Sequence, residues 1–70
     1  MEMIPVESSN IFSIGYDPEE EKLYIQFHSG AIYEYYNVPQ FIFDELMSAE
    51  SKGRYAHQNI YKVFAQQRIQ

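Results

Sequence analysis

Apolar and polar residues alternate along two runs, Leu23-Tyr24-Ile25-Gln26-Phe27 and Ala31-Ile32-Tyr33-Glu34-Tyr35-Tyr36, separated by His28-Ser29-Gly30. Alternation with period two on both sides of a Gly-containing turn predicts a β-hairpin. Loop length sets its register, and a slip of one residue inverts the faces. A two-residue loop would put Glu34 on the apolar face opposite Ile25. A three-residue loop over His28-Ser29-Gly30 pairs Leu23 with Tyr35, Ile25 with Tyr33 and Phe27 with Ala31, and leaves Tyr24 opposite Glu34 and Gln26 opposite Ile32. Gly30 then takes the left-handed position of a bulge-type turn. This register sorts apolar from polar, and it makes Tyr33 and Tyr35 core residues with hydroxyls at the rim.

The pattern continues upstream. Phe12, Ile14 and Tyr16 alternate with Ser13 and Gly15, and Asp17-Pro18-Glu19-Glu20-Glu21-Lys22 reads as a turn. A four-residue loop, Pro18 to Glu21, pairs Tyr16 with Leu23, Ile14 with Ile25, Phe12 with Phe27, and Asp17 with Lys22 as a cross-strand ion pair. The expected fold is α+β: a three-stranded antiparallel meander covered on one face by a helix, with a short second helix and an extended C-terminal tail. The covering helix is expected over 39–52, with Pro39 as its first residue, Ile42, Leu46 and Ala49 as its stripe, Phe43 and Met47 beside it, and Lys52-Gly53 as its stop. Phe41 lies off that stripe. Helix spacing of Ala56, Ile60 and Val63 favours a second helix over about 54–62, while Tyr61, Val63 and Ala65 also fit an edge strand, so residues 60–66 stay open between the two.

The composition places all 70 residues in one domain. With 46% hydrophobic and 17% aromatic residues, all Tyr or Phe, the chain is too apolar for disorder. It has no Cys, which suits a reducing cytoplasm. It also has neither an apolar run long enough to span a membrane nor the basic start of a signal peptide. The net charge of −5 is unevenly placed: all ten acids and one base, Lys22, fall in residues 1–50, and the other four bases fall in 51–70.

Catalytic chemistry finds little foothold. Ser8-Ser9 lacks a nucleophile-elbow context and reads as turn hydrogen bonding. His28 and His57 have no second ligand at metal spacing, Glu19-Glu20-Glu21 lacks the spacing of a calcium loop, and no Gly motif cradles a phosphate, so neither metal, cofactor nor enzymatic activity is expected. One pattern stands out. Lys52, Arg54, Tyr55, His57, Tyr61, Lys62 and Arg68 interleave cations with aromatics, the combination that holds single-stranded nucleic acid. The same pattern also arises when Tyr55 or Tyr61 closes a core edge while Lys and Arg stems lie along it.

Five strings taken in order resemble the KTSC domain: Val6-x-Ser-Ser-Asn-Ile11, Ile14-Gly15-Tyr16-Asp17, Leu23-x-Ile25-x-Phe27-x-x-Gly30-x-x-Tyr33-x-Tyr35, Val38-Pro39, and Ser51-Lys52-Gly53-Arg54-Tyr55 with Ile60 beyond. The resemblance runs from about residue 6 to 69. It implies a small bacterial or phage domain that also occurs at the C-terminus of some lysyl-tRNA synthetases and has no established reaction. Two kinds of partner are therefore expected: an unknown protein, through a sheet edge or Phe41, or RNA, through the basic C-terminal segment.

Overall fold

The computed structural model describes residues 1–70. Its elements are β1 (Ile4–Pro5), β2 (Ile11–Asp17), β3 (Lys22–Phe27), β4 (Ile32–Tyr35), α1 (Gln40–Ser48), α2 (Lys52–Asn59) and β5 (Gln66–Arg68). All five strands form one antiparallel sheet in the order β1-β2-β3-β4-β5. The expected three-stranded meander is its centre. The two strands added at its edges are two and three residues long and exposed.

The hairpin has the three-residue register. Leu23 faces Tyr35, Tyr24 faces Glu34, Ile25 faces Tyr33, and Gln26 faces Ile32. Gly30 sits at φ 97°, its N–H donating to the Phe27 carbonyl at 2.9 Å, and the Phe27 N–H donates to Ala31 at 2.9 Å. A side chain at that φ would be strained, which is why glycine ends the loop.

Between β2 and β3, Tyr16 faces Leu23 and Ile14 faces Ile25, but the pairing shifts between Ile11 and Ser13. Phe12 is the extra residue of a β-bulge. The expected Phe12–Phe27 pair is therefore replaced by Ile11–Phe27: Ile11 is fully buried, and Phe12 points outward, edge-on to His28. A bulge re-aims one side chain and every residue before it. Asp17 and Lys22 pair as backbone neighbours without forming the expected ion pair. The Asp17 carboxylate instead accepts from the Glu19 and Glu20 amides of the turn, and Lys22 reaches Glu34 at 3.9 Å.

The helical half divides earlier than expected. Pro39 is the N-cap of α1 rather than its first helical residue, and the helix ends at Ser48. Ser51 caps α2, accepting from the Arg54 amide at 3.2 Å, so Lys52 and Gly53 begin the second helix instead of ending the first. The break lets two short stripes reach one core, with Leu46 from α1 and Ala56 and Ile60 around α2 all at 0% exposure. A straight helix through residue 52 would leave the second stripe nothing to cover. After a turn at 60–64 the tail returns as β5, with Gln66 facing Tyr35 and Arg68 facing Tyr33.

The core is one cluster of nine side chains: Ile11, Ile14, Leu23, Ile25, Tyr35, Val38, Leu46, Ala56 and Ile60. Tyr35 is buried as expected, whereas Tyr33 is half-buried. Phe41 is exposed, in keeping with its place off the stripe. No helix is long and apolar enough to cross a membrane.

Candidate functional site

Two clefts open at the surface, one at the start of α2 and one between the β3–β4 hairpin and β5. The first, about 540 Å³, has no apolar lining. Ser8, Ser9 and Asn10, which precede β2, form one wall; Ser51, Lys52 and Arg54, at the start of α2, form the other, with Glu7 and Glu50 flanking. Sequence chemistry shapes both walls. The Ser8 hydroxyl accepts from the Asn10 and Ile11 amides at 3.4 and 3.3 Å and donates to Asn10 Oδ1 at 3.1 Å, folding the segment into a tight turn. Across the cleft a Cβ on Gly53 would lie 2.8 Å from Asn10 Oδ1, so glycine lets the two walls approach this closely. The serine hydroxyls at Ser8 and Ser51 are taken up by backbone amides, and the His28 imidazole bonds the Ser8 carbonyl at 3.0 Å rather than a hydroxyl. No three His, Asp or Glu side chains gather where they could hold a metal.

The second cleft, about 440 Å³, is aromatic. Phe27, Tyr33, Tyr35 and Tyr61 line it, with Ala31 and Ser29 beneath the hairpin turn and Gln66 and Arg68 on β5. The rings form a continuous set: Tyr61 and Tyr35 stack at 6.3 Å, Tyr35 and Tyr33 at 6.4 Å, and Phe27 meets Tyr33 edge-on at 5.9 Å. Such offset and edge contacts are the preferred geometries for aromatic rings. Burial, with the neighbouring Tyr61 and Tyr33 hydroxyls, pushes the Tyr35 phenol far above its ordinary value. Burial also raises Tyr61, part of the way offset by the nearby Asn10 amide, yet the two do not meet in hydrogen-bond geometry and the Tyr61 hydroxyl is buried without a partner.

The seven residues singled out in the sequence are distributed among different tasks. Lys52 and Arg54 line the polar cleft; Tyr61 and Arg68 line the aromatic one. Tyr55 is structural: its ring packs on the core and its hydroxyl donates to Glu45 at 2.6 Å, tying α2 to α1. Burial and that Glu45 bond push the Tyr55 phenol up to about 12. Lys62 is exposed on the turn after α2. His57 is exposed on α2, its ring edge-on to Tyr61 at 6.4 Å. The sequence reading missed Ser8, Ser9 and Asn10 as a cleft wall, and Phe27, Tyr33, Tyr35 and Gln66 as cleft lining. One signal for the first was present: the strings Ser8-Ser9-Asn10 and Ser51-Lys52-Gly53-Arg54 both belong to the ordered set that resembles a known domain, and the fold brings them face to face.

On the opposite face of the sheet, Glu34 is the centre of a polar cluster. Its carboxylate accepts from the Tyr36 hydroxyl at 2.7 Å and lies 3.9 Å from the Lys22 ammonium. Bonds from Tyr36 and Tyr24 hold Glu34 below the usual carboxylate range, and the Glu34 bond and burial push Tyr24 up to about 12.

Comparison with known proteins adds relatives. The family model described as the KTSC domain matches residues 7–64. A protein of Tsukamurella paurometabola is 53% identical over 55 residues, spanning 79% of this chain and 82% of its own length. An uncharacterized protein of Stutzerimonas stutzeri is 41% identical over 58 residues, spanning 83% and 82%. A lysine–tRNA ligase of a Nostoc species is 37% identical over 67 residues, which is 96% of this chain and 12% of the ligase. Among solved structures, a KTSC domain protein from Yersinia pestis superposes with a TM-score of 0.95 at 42% identity, covering 99% of this chain and 97% of that one.

Proposed function

The chain belongs to the KTSC domain family, and on that premise we propose that it is a non-catalytic interaction module whose recognition surface is the polar cleft at the start of α2 together with the aromatic cleft between the hairpin and β5. The observation that carries this reading is the division of labour at the surface. The Ser8 and Ser51 hydroxyls and the His28 imidazole, three of the groups that could act as nucleophile or base, are bound to backbone groups. Beside them stand groups that recognise: Arg54 at one cleft, with Lys52, whose ammonium donates to the Ala49 carbonyl at 3.2 Å, and aromatic rings and Arg68 at the other. The surfaces that the sequence offered to a protein partner are weaker. Both sheet edges are short, one of them carries Pro5, and Phe41 is a lone exposed ring. A chain without cysteine suits a reducing compartment, and the cytoplasm is where we place it.

Affinity capture from a host lysate treated with nuclease tests this reading, using the wild-type domain beside Arg54→Glu and Arg68→Glu. A protein captured by the wild type and lost with either variant supports it. Equal capture by all three contradicts it. A second reading, that the partner is RNA, is favoured by the lysine–tRNA ligase relatives, in which a segment like this one is a small part of a tRNA-charging enzyme. It predicts amide shifts within residues 52–68 on adding tRNA, fading as salt rises. Absence of shifts at low salt removes it.

A further inference from the structure

Gly15 stands inside β2 without a side chain, and it is buried. It pairs with Tyr24, which pairs with Glu34, so it belongs to the sheet face that carries the Glu34 cluster, away from the core and both clefts. The segment before β1 is what covers it. A Cβ on Gly15 would lie 2.6 Å from Met3 Sδ, 3.1 Å from Met1 Sδ and 3.1 Å from the Glu2 carbonyl oxygen. A glycine inside a strand often marks such a close approach. Here the absent side chain lets two thioether sulfurs and a carbonyl oxygen converge on one point of bare backbone. Met1 and Met3 are alternate residues running into β1, and alternate residues of extended chain send their side chains to the same face.

The three atoms are a donor set, and its composition narrows what it takes. The chain has no cysteine, so its three methionine sulfurs are its softest donors. Met47 packs against the core, whereas Met1 is 66% exposed, which leaves the Met1–Met3 pair open to solvent on one side. Calcium and magnesium need a shell of oxygens, and the site has one carbonyl. Zinc is held by thiolate, imidazole and carboxylate, and no three His, Asp or Glu side chains gather anywhere in the structure. Thioethers select copper(I). A monovalent soft ion tolerates a small donor set and brings little charge to be compensated, and the protein's net charge of −5 favours a cation. We propose that Met1 and Met3 form a site for a soft monovalent metal ion of the copper(I) class. The Glu2 carbonyl oxygen stands beside the two sulfurs, and Gly15 is the floor on which they meet.

The test is a nuclear magnetic resonance titration of the untagged full chain, its methionine methyl groups carbon-13 labelled. The ions are silver(I), copper(I) kept reduced with ascorbate, and zinc(II) as the contrast. The expected result is that silver and copper(I) move the Met1 and Met3 methyl resonances together, saturating at one ion per chain. Met47 serves as the internal control and should stay in place, and zinc should move none of the three. Met1→Leu and Met3→Leu keep the apolar cover but each remove a donor. Each should weaken silver binding by about tenfold or more, since even the outer partners of a metal site cost that much. Gly15→Ala removes no donor. Its new methyl group would drive the Met3 sulfur, the end of a flexible side chain, off the meeting point, so the domain should stay folded and bind silver more weakly. Equal affinity in all three variants overturns the proposal and leaves the thioethers as packing over a glycine. Movement of Met1 alone overturns it, as does equal movement of Met47. Shifts at His28 or His57 with the methyl groups unmoved assign the ion to imidazole and overturn it too. Methyl shifts with zinc as large as with silver, or with silver but not copper(I), overturn the assignment of ion class. No shift with any ion overturns the site outright.

Discussion

Replacing Tyr61 with Phe should make the protein more stable. The Tyr61 ring packs on the core and stacks against Tyr35, but its hydroxyl is buried without a hydrogen-bond partner. An unpaired buried hydroxyl costs about 1–3 kcal/mol, because water's hydrogen bonds are lost and nothing replaces them. The Asn10 amide lies close enough to offset part of that penalty, which brings the recoverable share to about 1 kcal/mol. Removing one oxygen forfeits a few dispersion contacts, each worth about 0.1–0.2 kcal/mol. The ring, its stacking and the backbone are unchanged, so no cavity larger than the oxygen is left. The net expectation is a gain of roughly 0.5–1 kcal/mol, which in a domain this size corresponds to a rise in melting temperature of about 2–8 °C. Thermal and urea unfolding followed by circular dichroism measure it, given a two-state transition. A variant that melts below the wild type refutes the reasoning: the hydroxyl would then have a real partner, Asn10 or an enclosed water. Asn10→Ala separates these: because Asn10 also accepts from the Ser8 hydroxyl, it should destabilise both proteins, but the wild type more than Tyr61→Phe if Asn10 is the partner and both equally if it is not.

Four further outcomes follow from the same structure. Tyr35→Ala should cost about 3–5 kcal/mol as a large-to-small change in the core, and Tyr33→Ala clearly less because Tyr33 is half-buried; equal costs by urea denaturation would contradict the burial difference. Ser51→Ala should cost about 1 kcal/mol by removing the α2 cap, with the amide protons of Lys52–Arg54 exchanging faster; unchanged exchange would show that the cap is idle. Glu34 is held below the ordinary carboxylate value of 4.5 chiefly by the Tyr36 hydroxyl, then by Tyr24. Its stabilisation is therefore present above that value and lost as pH falls through the lowered one, so Glu34→Gln should flatten the acid limb of a stability–pH profile, and an unaltered limb would place the acid sensitivity elsewhere. The raised phenols act in the opposite direction. Tyr24 and Tyr55 titrate near 12 when folded and near 10 when unfolded, so stability should be intact below pH 10 and fall above it, with phenolate absorbance appearing together with loss of structure. Phenolate absorbance developing in the still-folded protein near its unfolded midpoint would count against both burials.

The meander was legible because its information is local. One choice of loop length kept Glu34 off the apolar face, and that choice fixed four cross-strand pairs. The bulge at Phe12 was not legible, because Phe12, Ile14 and Tyr16 keep the regular alternation of a strand, whereas Ile11, Ile14 and Tyr16 break it. Only the packed core selects Ile11 as the residue that goes inside. β1 and β5 carry no alternation at two and three residues, and both owe their existence to partners supplied by the rest of the sheet. The helix break was misplaced by reading Gly53 as a stop, when its small size serves a contact with Asn10 and Ser51 is the start signal. The candidate clefts were half visible. Lys52, Arg54, Tyr61 and Arg68 could be picked out by residue type, but their division between two clefts, and the opposite walls built from Ser8–Asn10 and the hairpin, depend on which distant segments meet.

Every strand in the sheet is hydrogen-bonded to the strand next to it in the chain, yet the connections are unequal. β2, β3 and β4 are joined by tight turns, whereas Tyr35 meets Gln66 only after the whole helical segment has been laid down. Chain closure over that distance carries the larger entropic cost, so β5 should be the last strand to dock during folding and the first to fray afterwards. Arg68 rides on that strand, and the aromatic cleft is complete only while it is docked. An occupant of the cleft would therefore slow deuterium uptake at Gln66–Arg68 more than anywhere else, making the sheet's weakest edge the most sensitive reporter of whether the domain has found what it binds.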